Sequence, residues 1–111
     1  MTNYTPIQPT RDGVSSAGTA VTATDALTRA ALGSRGVLME VINGGASPDV
    51  VTVGDASTTP SGGAAAAISK SVAAGSSQVF RVLPAQIDPV SNVVAVGHSF
   101  LTSVTVKVYP L

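Results

Sequence analysis

The chain has 111 residues and no cysteine, and its six basic and six acidic residues cancel to a formal net charge of zero. This length matches one ordinary domain, and the missing thiols exclude a disulfide framework and a thiolate metal site. Only 11% of the residues are charged, against about 25% in typical soluble domains, so we expect an oligomer or a subunit whose surface is covered by other protein. The scattered Lys and Arg residues argue against nucleic acid as a partner.

The first part of the chain, residues 1–19, is predicted to be an extended arm that precedes a domain over residues 20–111. Pro6 and Pro9 favour extended backbone around them, and Asp12-Gly13 is typical of a turn. The segment has neither the basic start nor the apolar stretch of a signal peptide, and no later segment has the bulky apolar composition of a membrane span. We therefore expect neither export nor a membrane partner.

The segment after the arm combines a weak strand signal with a helix signal. Polar and apolar residues alternate from Ala20 to Thr24, which predicts a short strand. Thr24 or Asp25 could then cap a helix with its body at Ala26–Leu32 and its end at Gly33. Such a helix has two turns at most and would depend on packing for its stability.

The middle of the chain is rich in β-forming residues. Val37–Asn43 is the strongest predicted strand, and Asp49–Gly54 is predicted to be its partner in a hairpin. The intervening Gly44–Pro48 has the composition of a turn. Asp55–Ala65, which is rich in Gly, Ser and Thr, is predicted to be a solvent-facing loop.

The rest of the chain continues as short predicted strands. A proline-bracketed loop, Pro84–Pro89, is expected to connect two sheets, because a central strand would not tolerate it. The predicted strands are Ala66–Val72, in which Lys70 interrupts the apolar face, Ser77–Leu83, Asn92–Gly97 and Ser103–Val108. This spacing, with Gly, Pro and Ser turns between strands, predicts an all-β fold. It is expected to be an antiparallel two-sheet sandwich or jelly roll of about seven to eight strands, with a barrel as the alternative.

Few residues in the sequence could carry chemistry. His98 is the only histidine, and its place between two predicted strands is more typical of a surface or hydrogen-bonded residue than of a catalytic base. The carboxylates lie in separate segments, and a calcium site over Asp49–Asp55 would lack the EF-hand pattern. The paired glycines at 44–45 and 62–63 match no phosphate-binding loop. We therefore predict no enzyme and no catalytic, cofactor or metal site.

The order of several short phrases resembles a family of small β-sandwich virion proteins, capsid decoration or minor capsid proteins, of tailed phages that infect actinobacteria. The family features are an apolar strand ending in Asn-Gly, a Val/Thr strand, a turn phrase before another strand, a proline-containing link and a closing Val/Thr segment. They correspond here to Leu38–Pro48, Val50–Val53, Val72–Gly75, Phe80–Ala85 and Leu101–Val106. The resemblance covers the chain from Gly36 to its end.

The resemblance implies a structural subunit on the outer surface of a phage head, made in the host cytoplasm. Its partners would be the major capsid protein and further copies of itself, for example as trimers. The arm and the C-terminal tail are expected to contact neighbours through Tyr4, Ile7, Pro9, Tyr109, Pro110 and Leu111. Two alternatives are a head-to-tail connector or tail accessory subunit, and an adhesive module that binds carbohydrate or a host surface through the Asp55–Ala65 loop.

Overall fold

The computed structural model describes residues 2–15 and 17–111, and within these residues the fold is almost entirely β. Eight strands and one turn of α-helix lie in the described part of the chain, together with a short 3-10 helix at Pro84–Gln86. The elements are β1 Thr19–Ala20, β2 Thr24–Thr28, α1 Arg29–Leu32, β3 Val37–Asn43, β4 Asp49–Val53, β5 Ile68–Val72, β6 Ser77–Val82, β7 Val93–His98 and β8 Val104–Pro110. No helix among the described residues is both long and apolar enough to cross a membrane.

The strands pair as one long hairpin that has been rolled up. β1 pairs with β8, β2 with β7, β3 with β6 and β4 with β5, all antiparallel. Rolling then brings β3 beside β8 and β4 beside β7. The result is two four-stranded sheets, with strand orders β1-β8-β3-β6 and β2-β7-β4-β5. The predicted two-sheet antiparallel sandwich is confirmed, and this order of pairing is that of a jelly roll.

Small aliphatic side chains fill the space between the two sheets. Alternate residues of β3, at Val37, Met39 and Val41, are fully buried, as expected for a strand with one face on the core. They face the valines of β4 and β7 from the other sheet, and the arm contributes Tyr4 to the same core cluster. Because both inner faces are mainly valine, the sheets pack with few large rings between them.

The predicted hairpin between β3 and β4 is wrong, because the two strands belong to different sheets. The physical cause lies in Asn43 at the end of β3. Its side-chain amide donates to the carbonyl oxygens of Ser47 (2.8 Å) and Val72 (3.0 Å), and its Oδ1 accepts from Gly45 N (3.0 Å). These bonds shape residues 44–48 into a crossover from one sheet to the other, which turn composition alone does not distinguish from a hairpin.

The predicted helix is only partly present. Ala26 and Leu27, placed in the helix body by the sequence, lie in β2 and pair with β7. The helix is the single turn Arg29–Leu32, its N-cap is Thr28, whose hydroxyl accepts from Ala31 N, and its C-cap is Gly33 as predicted. An Ala-Leu segment is compatible with helix and strand, and here the pairing with β7 prevails.

The later strands begin and end within a few residues of their predicted bounds, and the link over Pro84–Pro89 does connect the two sheets. β5 and β6 form the outer strands on one side of the sandwich. There the inward-facing Lys70 and Ile68 of β5 remain exposed, and only Val72 is buried. The inner face of β5 that Lys70 interrupts is therefore left largely uncovered at the edge of the sandwich.

The arm runs along the opposite side and contacts both sheets. Tyr4 N donates to Ala26 O of β2 (3.0 Å), and Ala26 N donates to Thr2 O (2.9 Å). Further along, Ile7 N donates to Val108 O of β8 (2.6 Å). The arm therefore links β2, an edge strand of one sheet, to the part of β8 that β1 does not cover in the other sheet, and regular pairing resumes at Thr19.

Candidate functional site

A buried polar network lies at one end of the β2-β7-β4-β5 sheet, beneath the arm. It consists of Tyr4, Asp25, Asp49 and His98, which we call the Tyr4 network. Asp25 and Asp49 are at the starts of β2 and β4, and His98 is the last residue of β7. Because β7 is antiparallel to both neighbours, its end lies beside their starts. All three side chains point into the core, where they have no solvent-exposed surface.

Asp49 and His98 form a buried carboxylate–imidazole pair within the network. Asp49 Oδ2 lies 2.7 Å from His98 Nδ1, while Asp49 Oδ1 accepts from the backbone N–H groups of Ser99 (2.9 Å) and Phe100 (3.2 Å). The carboxylate therefore orients the imidazole and also holds the chain that leaves β7. A buried charge retained in this way is compensated on both oxygens.

Asp25 is the second carboxylate and accepts hydrogen bonds from three residues. Its oxygens accept from Thr2 N (3.0 Å), from Thr22 N (2.9 Å) and from the hydroxyl groups of Thr22 and Tyr4. Desolvation raises the pKa of Asp25, but the hydrogen bonds from Thr22, Tyr4 and Thr2 outweigh it and leave this pKa below its ordinary value. The carboxylate is therefore held in its ionised form.

Tyr4 connects the two carboxylate groups through His98. Its hydroxyl donates to Asp25 Oδ2 at 2.6 Å and lies 2.9 Å from His98 Nε2. Burial, followed by the hydrogen bond to Asp25 and the charges of Asp25 and Asp49, raises the pKa of Tyr4 far above its ordinary value. The hydroxyl therefore stays protonated and acts as a bridge.

The chemistry open to this network is proton sharing inside the fold. An imidazole oriented by a carboxylate is the arrangement of a general base, but here both ring nitrogens of His98 are engaged by Asp49 and Tyr4. The described residues contain no group of three or more His, Cys, Asp or Glu that could hold a metal ion. The imidazole is closed off from solvent as long as the arm keeps its place.

The predicted contact residues differ in how far they are exposed. Tyr4 is 2% exposed and lies within its own core, so it does not present its ring to a neighbour. Ile7 and Tyr109 are half-buried, and the remaining three residues, Pro9, Pro110 and Leu111, are exposed. The tail is the end of β8, where Tyr109 is opposite Leu38 and Leu111 N donates to Gly36 O. The contact of these residues with other subunits stays a prediction.

A shallow pocket of about 190 Å³ lies where the 55–65 loop leaves β4. Its lining includes Asp55, Gln86 and Asp88 and no aromatic residue. Asp55 accepts from the backbone and hydroxyl of Ser57, and Asp88 accepts from Val90 N. These carboxylates therefore stabilise local turns.

The Tyr4 network was not predicted from the sequence. A signal was present in the alternation of the strands, because Asp49 shares its parity with Val51 and Val53, and His98 shares its parity with Val94 and Val96. That parity places both polar side chains on the buried face. The expectation that the carboxylates lie apart overlooked this. No comparable signal marks Tyr4, because the arm has no regular period.

Comparison with known proteins gives no relative: no family model, no curated protein and no solved structure matches the chain.

Proposed function

We propose that the chain is a structural virion protein that binds the outer surface of a tailed-phage head and cements the major capsid protein. The proposal rests on the order of the sequence phrases described above and on one structural observation, the difference between the two outer faces of the sandwich. One face is uncharged and built from small residues, and the other carries large apolar residues among a few charges. A sandwich with two unlike faces suits attachment by one of them.

The outer face of the β1-β8-β3-β6 sheet is the candidate attachment face. Its register places Leu38 between Arg81 and Tyr109, and Glu40 between Val79 and Lys107. Val79 is 59% exposed on the outer strand β6. Apolar and aromatic residues with a few charges are the composition of protein interfaces, so this face is the one we place against the capsid.

The outer face of the other sheet has a different character. Its outward residues on β4 and β5 are Val50 and Thr52, opposite Ser71 and Ser69. On β2 and β7 they are small or β-branched residues as well, and none of the outward residues of this sheet is charged. With the exposed loop 55–65 at its edge, we place this face toward solvent or toward further copies of the chain.

The state of His98 supports a structural role for the only imidazole of the chain. Both of its ring nitrogens bind groups of the same chain, and its side chain has no exposed surface. A substrate could reach the ring only after the arm had left.

The proposal is tested by binding the purified chain to heads of the encoding phage assembled without it, measured by co-sedimentation. We expect Val79→Glu to weaken binding about tenfold or more, since a carboxylate placed in an interface core opposite Glu40 is desolvated without a partner. Val90→Glu is the matched control, because Val90 is 93% exposed and lies in the loop before β7, outside the strands of the attachment face. Absence of binding by the unmodified chain, or equal loss with both variants, would contradict the proposal.

Deleting the arm is not a clean test, because the deletion removes Tyr4 from the core. Substituting the exposed Pro9 or Leu111 by Asp leaves the core intact and tests whether the arm and the tail contact neighbours.

Copy number distinguishes the proposed function from the alternative of a connector or tail subunit. A cementing protein covers the head in many copies, whereas a connector forms one ring.

A further inference from the structure

The number of hydrogens in the Tyr4 network determines how many of its contacts with the arm can form. The network has three contacts in series: Asp49 to His98 Nδ1, His98 Nε2 to the Tyr4 hydroxyl, and the Tyr4 hydroxyl to Asp25. Each contact needs one hydrogen between its two heavy atoms. Tyr4 supplies one and donates it to Asp25. The two contacts of the imidazole therefore need a hydrogen on each ring nitrogen.

A neutral imidazole carries a hydrogen on only one of its nitrogens. If that hydrogen lies between Nδ1 and Asp49, the single hydrogen of the Tyr4 hydroxyl can be donated to Asp25 or to Nε2, and the other contact is left with lone pairs facing each other. That contact would be repulsive and buried, and a buried polar group without its hydrogen bond is costly. With both carboxylates ionised, all three contacts are satisfied together only when His98 carries its second proton.

The surroundings of His98 fit a charged ring. Two carboxylates face it, Asp49 from β4 at 2.7 Å and Asp25 from β2 at 4.0 Å. Among the described residues of the arm, the neutral hydroxyl of Tyr4 is the group that contacts the ring. The four hydrogen bonds received by Asp25 keep that carboxylate ionised, which leaves the ring as the place for the additional proton.

We propose that the second proton of His98 acts as a latch that holds the N-terminal arm on the sandwich. When the ring loses this proton, the Tyr4 hydroxyl keeps a hydrogen bond to the ring or to Asp25 but not to both, and the arm is held by one contact fewer. Its other bonds include those of Tyr4 and Thr2 with β2 and that of Ile7 with β8. Release uncovers the edge of β2, because Ala26 N and O both bind the arm, and an uncovered edge can pair with a strand of another chain. This property does not depend on the proposed virion role.

The test measures how firmly the arm is held as a function of pH. Hydrogen-exchange protection of the Tyr4 and Ile7 amides, normalised for intrinsic exchange, reports the arm. The Gly54 amide, bound to Ala95 O, is the control. We expect arm protection to fall about tenfold as the pH is raised and the His98 ring loses its second proton, while Gly54 stays constant. Ring ¹⁵N shifts should show both nitrogens of His98 protonated at the lower pH.

Two variants separate a latch from simple packing. Tyr4→Phe keeps the buried ring and His98 but removes the hydroxyl, so arm protection should be lower and no longer change with pH. Tyr109→Phe is the matched control and should behave as the unmodified chain. His98→Gln cannot titrate and should also abolish the pH dependence, with Gly54 protection reporting that it folds. Unchanged pH dependence in Tyr4→Phe, or a His98 ring that is neutral while the arm is held, would overturn the proposal.

Discussion

Asp49 and His98 begin and end two neighbouring strands, and their side chains meet at 2.7 Å in the core with no exposed surface. These two residues lie at the end of the sheet where β4 begins and the neighbouring β7 ends. Removing one partner of such a pair leaves the other without compensation, whereas an exposed pair contributes little. We therefore expect the pair to stabilise this end of the sandwich.

Asp49→Asn tests this pair directly. The amide can still accept from the N–H groups of Ser99 and Phe100, but its NH₂ group then faces the Nδ1 hydrogen of His98. We expect the free energy of unfolding to fall by about 3 kcal/mol, measured by denaturant unfolding at neutral pH. Asp12→Asn is the matched control at an exposed position and should leave stability unchanged. Equal stability of the two variants would show that the pair contributes nothing.

Stability at acid pH depends on Asp25. Its pKa in the folded protein lies below the ordinary value of 3.8, so the folded state binds this proton less readily than the unfolded state does. Its contribution is therefore present above about pH 4 and is lost as the pH falls through the folded pKa. Asp25→Asn should be less stable than the unmodified chain at neutral pH, and the difference should shrink in acid. Denaturant unfolding at a series of pH values checks this, and a difference that grows in acid would contradict it.

Stability at alkaline pH depends on Tyr4. The raised pKa of its hydroxyl means that the unfolded state ionises first. The contribution is therefore present below the ordinary value of 10.0 and is lost as the pH rises through the folded pKa. The ultraviolet absorbance of Tyr4 tyrosinate should appear only as the arm leaves the core or the chain unfolds. Tyr4→Phe should lack this component, and ionisation of Tyr4 while its amide stays protected on β2 would be the contrary result.

The crossover between β3 and β4 depends on Gly45. A Cβ atom built there would lie 2.5 Å from the carbonyl oxygen of Thr102 and closer still to the ring of Phe100, so Gly45→Ala must displace the backbone. We expect a loss of about 2 kcal/mol. Gly63→Ala is the control, since its Cβ would meet only Thr59 Oγ1 at 3.4 Å. A thermal shift of similar size in both variants would refute the role of the crossover.

The fold class could be predicted from the sequence because short runs of β-forming residues recur between turn-forming segments, and because valines alternate with polar residues in Val104–Val108. Strand partners could not be predicted, since the crossover after β3 depends on what the Asn43 side chain binds. The Tyr4 network could not be predicted either, because its residues come together only in this topology. Asp25 and Asp49 belong to strands separated by β7, and only the rolled hairpin brings them to the same imidazole.

The most direct test of the proposed function is an electron-microscopy map of the phage head that carries this chain. We expect two-sheet density for the chain in many copies on the outer capsid surface, with the β1-β8-β3-β6 face and Val79 against the major capsid protein. Density confined to a single ring where the tail joins the head, or a head without the chain, would contradict it.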